Sequence, residues 1–326
     1  MNDDSADAGF GAADEPGEDV QTVLAAMADL DAPAAHELAP GDAREMRRGF
    51  FDADEAHGDV ASVEDRTVPG PGFEIPMRVY TPTGDGPHPV AVYFHGGGFV
   101  LGTLDSRDPI CRTIADRADC VVVSVAYRLA PEHPFPAAVE DAYAATEWVA
   151  EHAAAVGGDP ERVAVVGDSA GGNLAAAVSL AARDRDGPDL AHQALAYPVL
   201  DYRDREYPSR EENAEGYFLT SEGIDYFDRH YVNSWVHREN PYLSPVAAAS
   251  HADLPAATVV TCGFDPLRDE GVAYVDALED AETPVQHRHY PGLIHGIVSM
   301  VADPVDVPSG HEVLAAFADD LGDALH

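Results

Sequence analysis

The sequence predicts an α/β fold in which a mostly parallel central sheet has helices on both faces. Two patterns support this prediction. Short, unbroken apolar runs are typical of strands that are buried on both faces. Between these runs lie segments whose apolar residues recur at helical spacing. Alternation of such strands and helices is the pattern of a parallel α/β sheet.

The elements follow in chain order. Two strands are predicted at 61–68 and 73–81, separated by the Pro-Gly-Pro-Gly sequence of residues 69–72. Apolar runs then predict further strands at 89–94, 121–126, 162–166, 194–197, 257–262 and 285–290. Helical spacing predicts helices at 138–153, 169–183, 268–281 and 309–324.

Two regions do not fit this alternation. Residues 1–19 are acidic, rich in Gly and Ala, and aperiodic, so we expect a disordered tail. Helical spacing follows over 20–38, and a second short helix is expected over 43–51 after a turn at residues 40–41. Residues 201–250 are rich in aromatic side chains, with a helix predicted over 221–231. A long excursion inside a compact domain is usually functional, so this region is either a surface excursion or part of a lid.

The charge of the chain is strongly negative. Of 326 residues, 59 are acidic and 19 are basic, which gives a formal net charge of −40, and every basic residue is an arginine. Phosphate binding needs clustered cations, so nucleic acid is an unfavourable partner. A compact chain of this charge repels itself in dilute buffer, and molar salt screens that repulsion. The composition resembles that of proteins from salt-accumulating halophiles.

The cysteine count and the apolar pattern bear on the compartment. Cys111, Cys120 and Cys262 form no C-x-x-C pair, and their odd number predicts no disulfide framework. No run of eighteen apolar residues predicts a membrane span, and the first residues lack the pattern of a signal peptide. We therefore expect a cytoplasmic protein with reduced thiols and no membrane partner.

A serine lies where a predicted strand becomes a helix. Residues 167–171 read Gly-Asp-Ser-Ala-Gly, which matches the G-x-S-x-G pattern. Small residues on both sides let strand and helix pass closely, while a strained backbone exposes the Ser169 hydroxyl above the sheet edge. Ser169 is therefore a candidate nucleophile; the alternative is an inert serine in a glycine-rich turn. Asp168, beside it, is expected to have a structural or dimer-surface role.

Acyl transfer by a serine also requires a base and hydrogen-bond donors for the oxyanion. Strand 89–94 leads into His95-Gly96-Gly97-Gly98-Phe99. Three successive glycines allow backbone N–H groups to come close to a ligand, an approach that any side chain would block. A plain glycine-rich loop is the alternative. We expect His95 to brace this loop rather than to act as a base.

The pair HGGGF and GDSAGG, in this order, resembles the motifs of the hormone-sensitive-lipase-like family of α/β-hydrolases. Residues 125–137 resemble the family's segment after its fourth strand, and residues 265–271 and 290–296 resemble its acid and base loops. The resemblance covers residues 60–325. It implies the α/β-hydrolase fold with a helical cap, and a serine hydrolase that acts on carboxylic esters.

The resemblance also implies the roles of individual residues. It assigns the nucleophile to Ser169, the acid to Asp265 and the base to His295, in the family's chain order. Each of these residues follows the C-terminal end of a predicted strand, where ligands bind in open α/β folds. Neither a metal nor an organic cofactor is implied. The implied oxyanion donors are backbone N–H groups, those of Gly97, Gly98 and Ala170.

Other acids and histidines are less favourably placed. Asp269 falls within a helical pattern and Asp253 precedes its strand, so each is expected on a solvated face or at a cap. His287 and His289 lie within a strand and are expected to point together toward a surface. His311 opens the last predicted helix.

The family's architecture implies a cap made of residues 20–55 and 201–245, on a catalytic core of residues 56–200 and 246–326. A closed cap favours short to medium acyl chains, so we expect a carboxylesterase acting on small-molecule esters. A deacetylase or amidase on the same triad and a non-catalytic ligand-binding protein are the alternatives, and a homo-oligomer is left open. Five cap aromatics either line an acyl pocket or hold the cap on the core: Tyr217, Phe218, Tyr226, Phe227 and Trp235.

Overall fold

The protein is described here by a computed structural model that covers residues 9–30, 32–51 and 58–326. The strands are β1 (Val60–Pro69), β2 (Glu74–Pro82), β3 (His88–Phe94), β4 (Val121–Val125), β5 (Gly158–Asp168), β6 (His192–Ala196), β7 (Ala256–Phe264), β8 (Val285–Ile294), β9 (Val301–Ala302) and β10 (Val305–Asp306). The α-helices are α1 (Glu18–Asp29), α2 (Pro40–Phe51), α3 (Asp108–Arg117), α4 (Ala137–Glu151), α5 (Ala170–Asp184), α6 (Pro208–Glu212), α7 (Ser221–Tyr231), α8 (Arg268–Asp280) and α9 (Pro308–Leu325). Short 3₁₀ helices lie at Ala35–Glu37, Asp105–Arg107, Ala153–Val156, Trp235–Glu239, Pro245–Ala247 and Ile297–Ser299.

The first eight strands form one sheet in the spatial order β1-β2-β4-β3-β5-β6-β7-β8. β2 pairs antiparallel with β1 and with β4, and every later pair from β4 to β8 is parallel. The predicted α/β class with a mostly parallel sheet is therefore confirmed. In a parallel sheet the C-terminal ends of β5, β7 and β8 lie at one edge, which is where a ligand site is expected.

The core consists of two apolar layers, one on each face of the sheet. Every residue of β3 is buried, and its side chains alternate between the layers: Val92 lies in one layer and Tyr93 in the other. Helices α4 and α5 cover the first layer, and α3 and α9 cover the second. Burial on both faces explains why these strands appear in the sequence as unbroken apolar runs.

The two helices near the start of the chain differ from the prediction. The helix expected over 20–38 ends at Asp29. Pro33 lies just beyond, and a proline cannot continue an α-helix because it lacks the N–H and its ring crowds the preceding turn. The expected turn at residues 40–41 is instead the beginning of α2. Proline is compatible with a first helical turn, where its missing N–H would have no partner.

The N-terminal segment also differs from the prediction. Residues 1–8 lie outside the described residues, but residues 9–17 pack along β8 instead of forming a disordered tail. The Ala13 N–H donates to the Pro291 carbonyl and the Gly17 N–H to the Gly292 carbonyl, each at 2.9 Å. The segment thus covers part of an outer strand of the sheet.

The long excursion after β6 contains α6 and α7, and α7 spans the residues predicted for it. For the described residues, no helix combines the length and the apolar character that crossing a bilayer requires.

Candidate active site

Ser169 lies in the turn between β5 and α5, with φ of 55° and ψ of −115°. A positive φ is strained for a residue with a side chain. The turn also depends on its neighbours. A Cβ atom at Gly167 would collide with the backbone of Gly171, and one at Gly171 would collide with the Phe94 carbonyl. The sharp turn predicted from the G-x-S-x-G pattern is therefore present.

Asp265 and His295 follow the ends of β7 and β8 and meet Ser169 at the same sheet edge. His295 Nδ1 lies 2.9 Å from Asp265 Oδ2, and His295 Nε2 lies 2.9 Å from Ser169 Oγ. The Leu267 N–H donates to Asp265 Oδ1 at 2.8 Å. An ionised carboxylate only accepts hydrogen bonds, so His295 Nδ1 carries the proton and Nε2 is free to accept the hydroxyl proton of Ser169.

The three groups predicted as oxyanion donors belong to the glycine loop and to the start of α5. Gly97 and Gly98 have φ of 126° and 59° and line the cavity together with Ser169 and His295. Both need to be glycine, because a Cβ at Gly97 would collide with the Leu101 carbonyl and one at Gly98 with the Phe227 ring. The third donor belongs to the first residue of α5, Ala170. N–H groups in the first turn of a helix have no intrahelical acceptor. Their role as oxyanion donors stays a prediction.

Asp168 is buried behind Ser169, and its contacts favour the structural role over a place on an exposed dimer surface. Its Oδ1 accepts from the Tyr93 hydroxyl at 2.6 Å and from the Gly96 N–H at 2.7 Å. Arg107 donates to Oδ1 at 3.3 Å and to Oδ2 at 3.1 Å. Burial alone would raise the pKa of Asp168, but the charge of Arg107 and these hydrogen bonds keep that pKa below its ordinary value. Asp168 thereby ties the nucleophile turn to the glycine loop.

His95 braces the glycine loop, as expected. Its Nδ1 lies 2.9 Å from the Gly96 carbonyl oxygen, and the Tyr127 hydroxyl donates to the His95 carbonyl at 2.6 Å. Burial lowers the pKa of His95 to about 4, so its imidazole is neutral at neutral pH.

The expectation of surface-pointing histidines in β8 is wrong. His287 and His289 are half-buried, and their ring nitrogens lie 2.8 and 2.9 Å from Thr261 Oγ1. The ring of Phe10 covers both imidazoles, with its centroid 4.5 Å from that of His287. The His289 Nε2 lies 2.8 Å from the Gly11 carbonyl. Their side of β8 is therefore a packing surface for the N-terminal segment.

The other acids and histidines considered for the triad lie away from Ser169. Asp269 lies in α8 and pairs with Arg268. His311 lies in α9 and pairs with Asp306. Asp253 is exposed. Across residues 9–30, 32–51 and 58–326, no group of three or more His, Cys, Asp or Glu side chains is arranged to hold a metal ion.

A cavity of about 380 Å³ lies above Ser169 and His295. Its walls come from the core and from both parts of the predicted cap, including residues 32–36 and 217–220. Of the five aromatics considered, Tyr217, Phe218 and Phe227 line this cavity. Tyr226 is buried in the core, and Trp235 is 63% exposed. Three of the five aromatics therefore line the cavity and Tyr226 packs into the core, while Trp235 is mostly exposed.

The sequence matches the family model described as alpha/beta hydrolase fold over residues 91–299. The chain belongs to the α/β-hydrolase family. Within it, the HGGGF and GDSAGG motifs and the relatives described next place it in the hormone-sensitive-lipase-like group, as predicted.

Similar proteins include esterases from bacteria and archaea. The chain is 46% identical over 240 residues to esterase LipI of Mycobacterium tuberculosis, covering 72% of this chain and 75% of that protein. It is 43% identical over 269 residues to carboxylesterase NlhH of the same organism, covering 81% and 83%. Among solved structures, a thermostable esterase from Pseudomonas putida superposes with a TM-score of 0.90 at 34% identity, covering 97% of this chain and 99% of the other.

The sequence analysis missed two groups of residues at this site. Arg107 is 61 positions from its partner Asp168, and it belongs to no motif. Residues 209–213 contact the loop that carries Asp265 and were assigned only to a cap. No local spacing signals either contact, since both depend on how distant segments fold together.

Proposed function

We propose that this chain is a serine carboxylesterase that hydrolyses short- to medium-chain carboxylic esters through an acyl-enzyme and is adapted to high salt. The observation that carries the proposal is the hydrogen-bonded series Ser169–His295–Asp265, with 2.9 Å at each nitrogen of the imidazole. The esterase and carboxylesterase names of its relatives support ester hydrolysis.

In the first half of the reaction, Ser169 Oγ attacks the ester carbonyl while His295 Nε2 accepts its proton. Asp265 holds the imidazole in the correct tautomer and stabilises the imidazolium. The negative charge that develops on the carbonyl oxygen is stabilised by the N–H groups of Gly97, Gly98 and Ala170. Each such donor contributes about 2.7–4 kcal/mol to transition-state stabilisation.

In the second half, the alcohol leaves with the proton from His295, and water attacks the acyl-enzyme. His295 then accepts a proton from that water and passes it to Ser169 Oγ as the acid is released. The cavity bears on which esters fit. Its volume of about 380 Å³ and its apolar walls from the cap suit a small acyl chain rather than a long triglyceride.

The adaptation to salt rests on charge. A net charge of −40 favours expansion in dilute buffer, and counterions at molar concentration screen it over a Debye length of about 3 Å. Most arginines of the described chain pair with acids, for example Arg78 with Asp65 and Asp105, so local pairing leaves a large acidic excess.

The test is a panel of p-nitrophenyl esters from acetate to palmitate, assayed in molar KCl with wild type and Ser169→Ala. We expect highest kcat/KM for acyl chains up to about eight carbons, and stoichiometric labelling of Ser169 by a fluorophosphonate. Preference for emulsified long-chain triglycerides would contradict the proposed chain length. Absence of labelling would favour a binding protein, and faster turnover of matched acetanilides would favour an amidase.

A further inference from the structure

The first part of the excursion after β6 lies against the loop that carries Asp265. Ser209, in α6, is fully buried, and its hydroxyl donates to the Pro266 carbonyl at 2.9 Å. Its backbone N–H donates to the Asp269 carboxylate at 2.7 Å. A helix that the sequence assigns to a cap therefore contacts two residues that follow Asp265 in the chain.

Asn213, at the end of α6, makes the most direct contact with this loop. It is 2% exposed, and its Nδ2 donates to the Asp265 carbonyl at 3.2 Å and to the Gly263 carbonyl at 3.3 Å. One side-chain amide thus holds two carbonyl groups, one near the end of β7 and one on the residue that follows this strand. A buried carbonyl that loses its donor is costly, so this contact favours one conformation of the loop.

An ion pair with a buried carboxylate fixes the same helix to α8. Arg210 Nη2 lies 2.7 Å from Glu270 Oε2, and Glu270 is fully buried. The second oxygen of Glu270 accepts from the Leu200 N–H at 2.7 Å. The Glu270 carboxylate therefore connects α6 and α8 to Leu200, which lies between β6 and α6.

We propose that Asn213 is a positioning residue for Asp265, and that residues 208–213 set the geometry of the Asp265–His295 pair. The Asp265 carboxylate must meet a ring nitrogen of His295 at the point where the backbone leaves β7. Its Oδ1 is already occupied by the Leu267 N–H within the loop. Asn213 acts on the other side of the residue, through the main-chain carbonyl, and so controls where Oδ2 points.

The inference rests on the proposed function, because it assigns Asp265 the acid role. It also gives the excursion a second task beyond covering the cavity. A shift of about 1 Å in a residue remote from the reacting atoms lowers a rate by as much as about 100-fold. Movement of α6 is expected to reach the reaction through the imidazole of His295 rather than through substrate contacts.

The test compares Asn213→Ala with wild type, and uses Asn240→Ala as the matched control. Asn240 lies in the same excursion, and its Oδ1 accepts from the Tyr242 N–H at 2.9 Å, away from the acid loop. In molar KCl we expect Asn213→Ala to lower kcat by about 10- to 100-fold with KM within about twofold of wild type. Asn240→Ala should leave both constants unchanged within about twofold.

Two further measurements keep the inference testable if Asn213→Ala folds poorly. Ser209→Ala removes the second contact and should lower kcat in the same way, whereas Ser209→Thr keeps the hydroxyl and should restore it. The downfield proton resonance of His295 Nδ1–H reports the bond to Asp265 directly, without any substrate. We expect this resonance in wild type and its loss or upfield shift in Asn213→Ala.

The outcomes separate the two proposals. A wild-type protein that turns over no ester contradicts the proposed function, and the resonance then decides the inference alone. An active wild type with an unchanged kcat in folded Asn213→Ala, or an unchanged resonance in that variant, overturns the positioning role. A rise in KM with constant kcat also overturns it, since that result places Asn213 in substrate binding.

Discussion

The buried pair of Arg107 and Asp168 gives the sharpest prediction about stability. The two side chains are 4% and 3% exposed, so removal of either partner leaves the other charge inside the protein without it. Breaking a buried pair in this way costs about 3–5 kcal/mol. In Arg107→Met the carboxylate of Asp168 would lose two charged donor groups and would keep its hydrogen bonds from Tyr93 and Gly96. We therefore expect a loss of about 3–5 kcal/mol in the free energy of unfolding.

The chain offers a matched control on its surface. Arg117 and Asp319 form a bidentate pair whose side chains are 42% and 51% exposed. An exposed pair contributes at most about 1 kcal/mol, so Arg117→Met should be nearly neutral. The two arginine variants thus compare the loss of a buried ion pair with the loss of an exposed one.

The assay is urea unfolding followed by circular dichroism in molar KCl. It compares the single variants Arg107→Met, Asp168→Asn and Arg117→Met with the double variant Arg107→Met, Asp168→Asn. Removing both charges should cost less than the sum of the single changes, with a coupling of about 0.5–3 kcal/mol. If Arg107→Met costs no more than Arg117→Met, or if the two changes at the buried pair add without coupling, the reasoning from burial is wrong.

Three other predictions concern pH, the glycine loop and the nucleophile. Because the pKa of Asp168 is held below its ordinary value, its ionised form stabilises the protein above about pH 4, and this stabilisation is lost as pH falls through the lowered pKa. The difference in the free energy of unfolding between wild type and Asp168→Asn, measured against pH, should therefore narrow below about pH 4. A difference that stays constant with pH would contradict the lowered pKa. Gly98→Ala places a methyl group in the Phe227 ring, so kcat should fall by about 100-fold. If this steric clash is the cause, the double variant Gly98→Ala, Phe227→Ala should recover part of the lost kcat. Ser169→Ala should lower kcat by about 10⁴- to 10⁶-fold with unchanged circular dichroism, and residual turnover near the wild-type rate would remove Ser169 from its role.

The parts of the fold and site that the sequence predicted are those that depend on local pattern. β5 and β7 are buried toward their C-terminal ends, so their apolar runs are unbroken and their ends fall near the predicted positions. Ser169 and Asp265 follow these two strand ends, and His295 follows the partly buried β8. Because all the strands involved run parallel, three residues far apart in the chain meet at one edge.

The parts that the sequence did not predict depend on contacts between distant segments. Residues 9–17 have the composition of a disordered tail, with Phe10 as their one large apolar side chain, and backbone bonds to β8 hold them in place. Asn213 and Arg107 bond to groups far along the chain. A polar residue of this kind looks the same in a sequence whether it is buried and paired or exposed.

The covering of β8 by residues 9–17 matters for anyone who prepares this protein. β8 is an outer strand, and an uncovered outer strand offers free backbone groups that pair with another chain. A recombinant version that begins at α1 would lose the bonds to Pro291 and Gly292 and the ring that covers His287 and His289. Affinity tags are therefore best joined ahead of residue 9, and self-association seen after N-terminal trimming would be a consequence of the shortening.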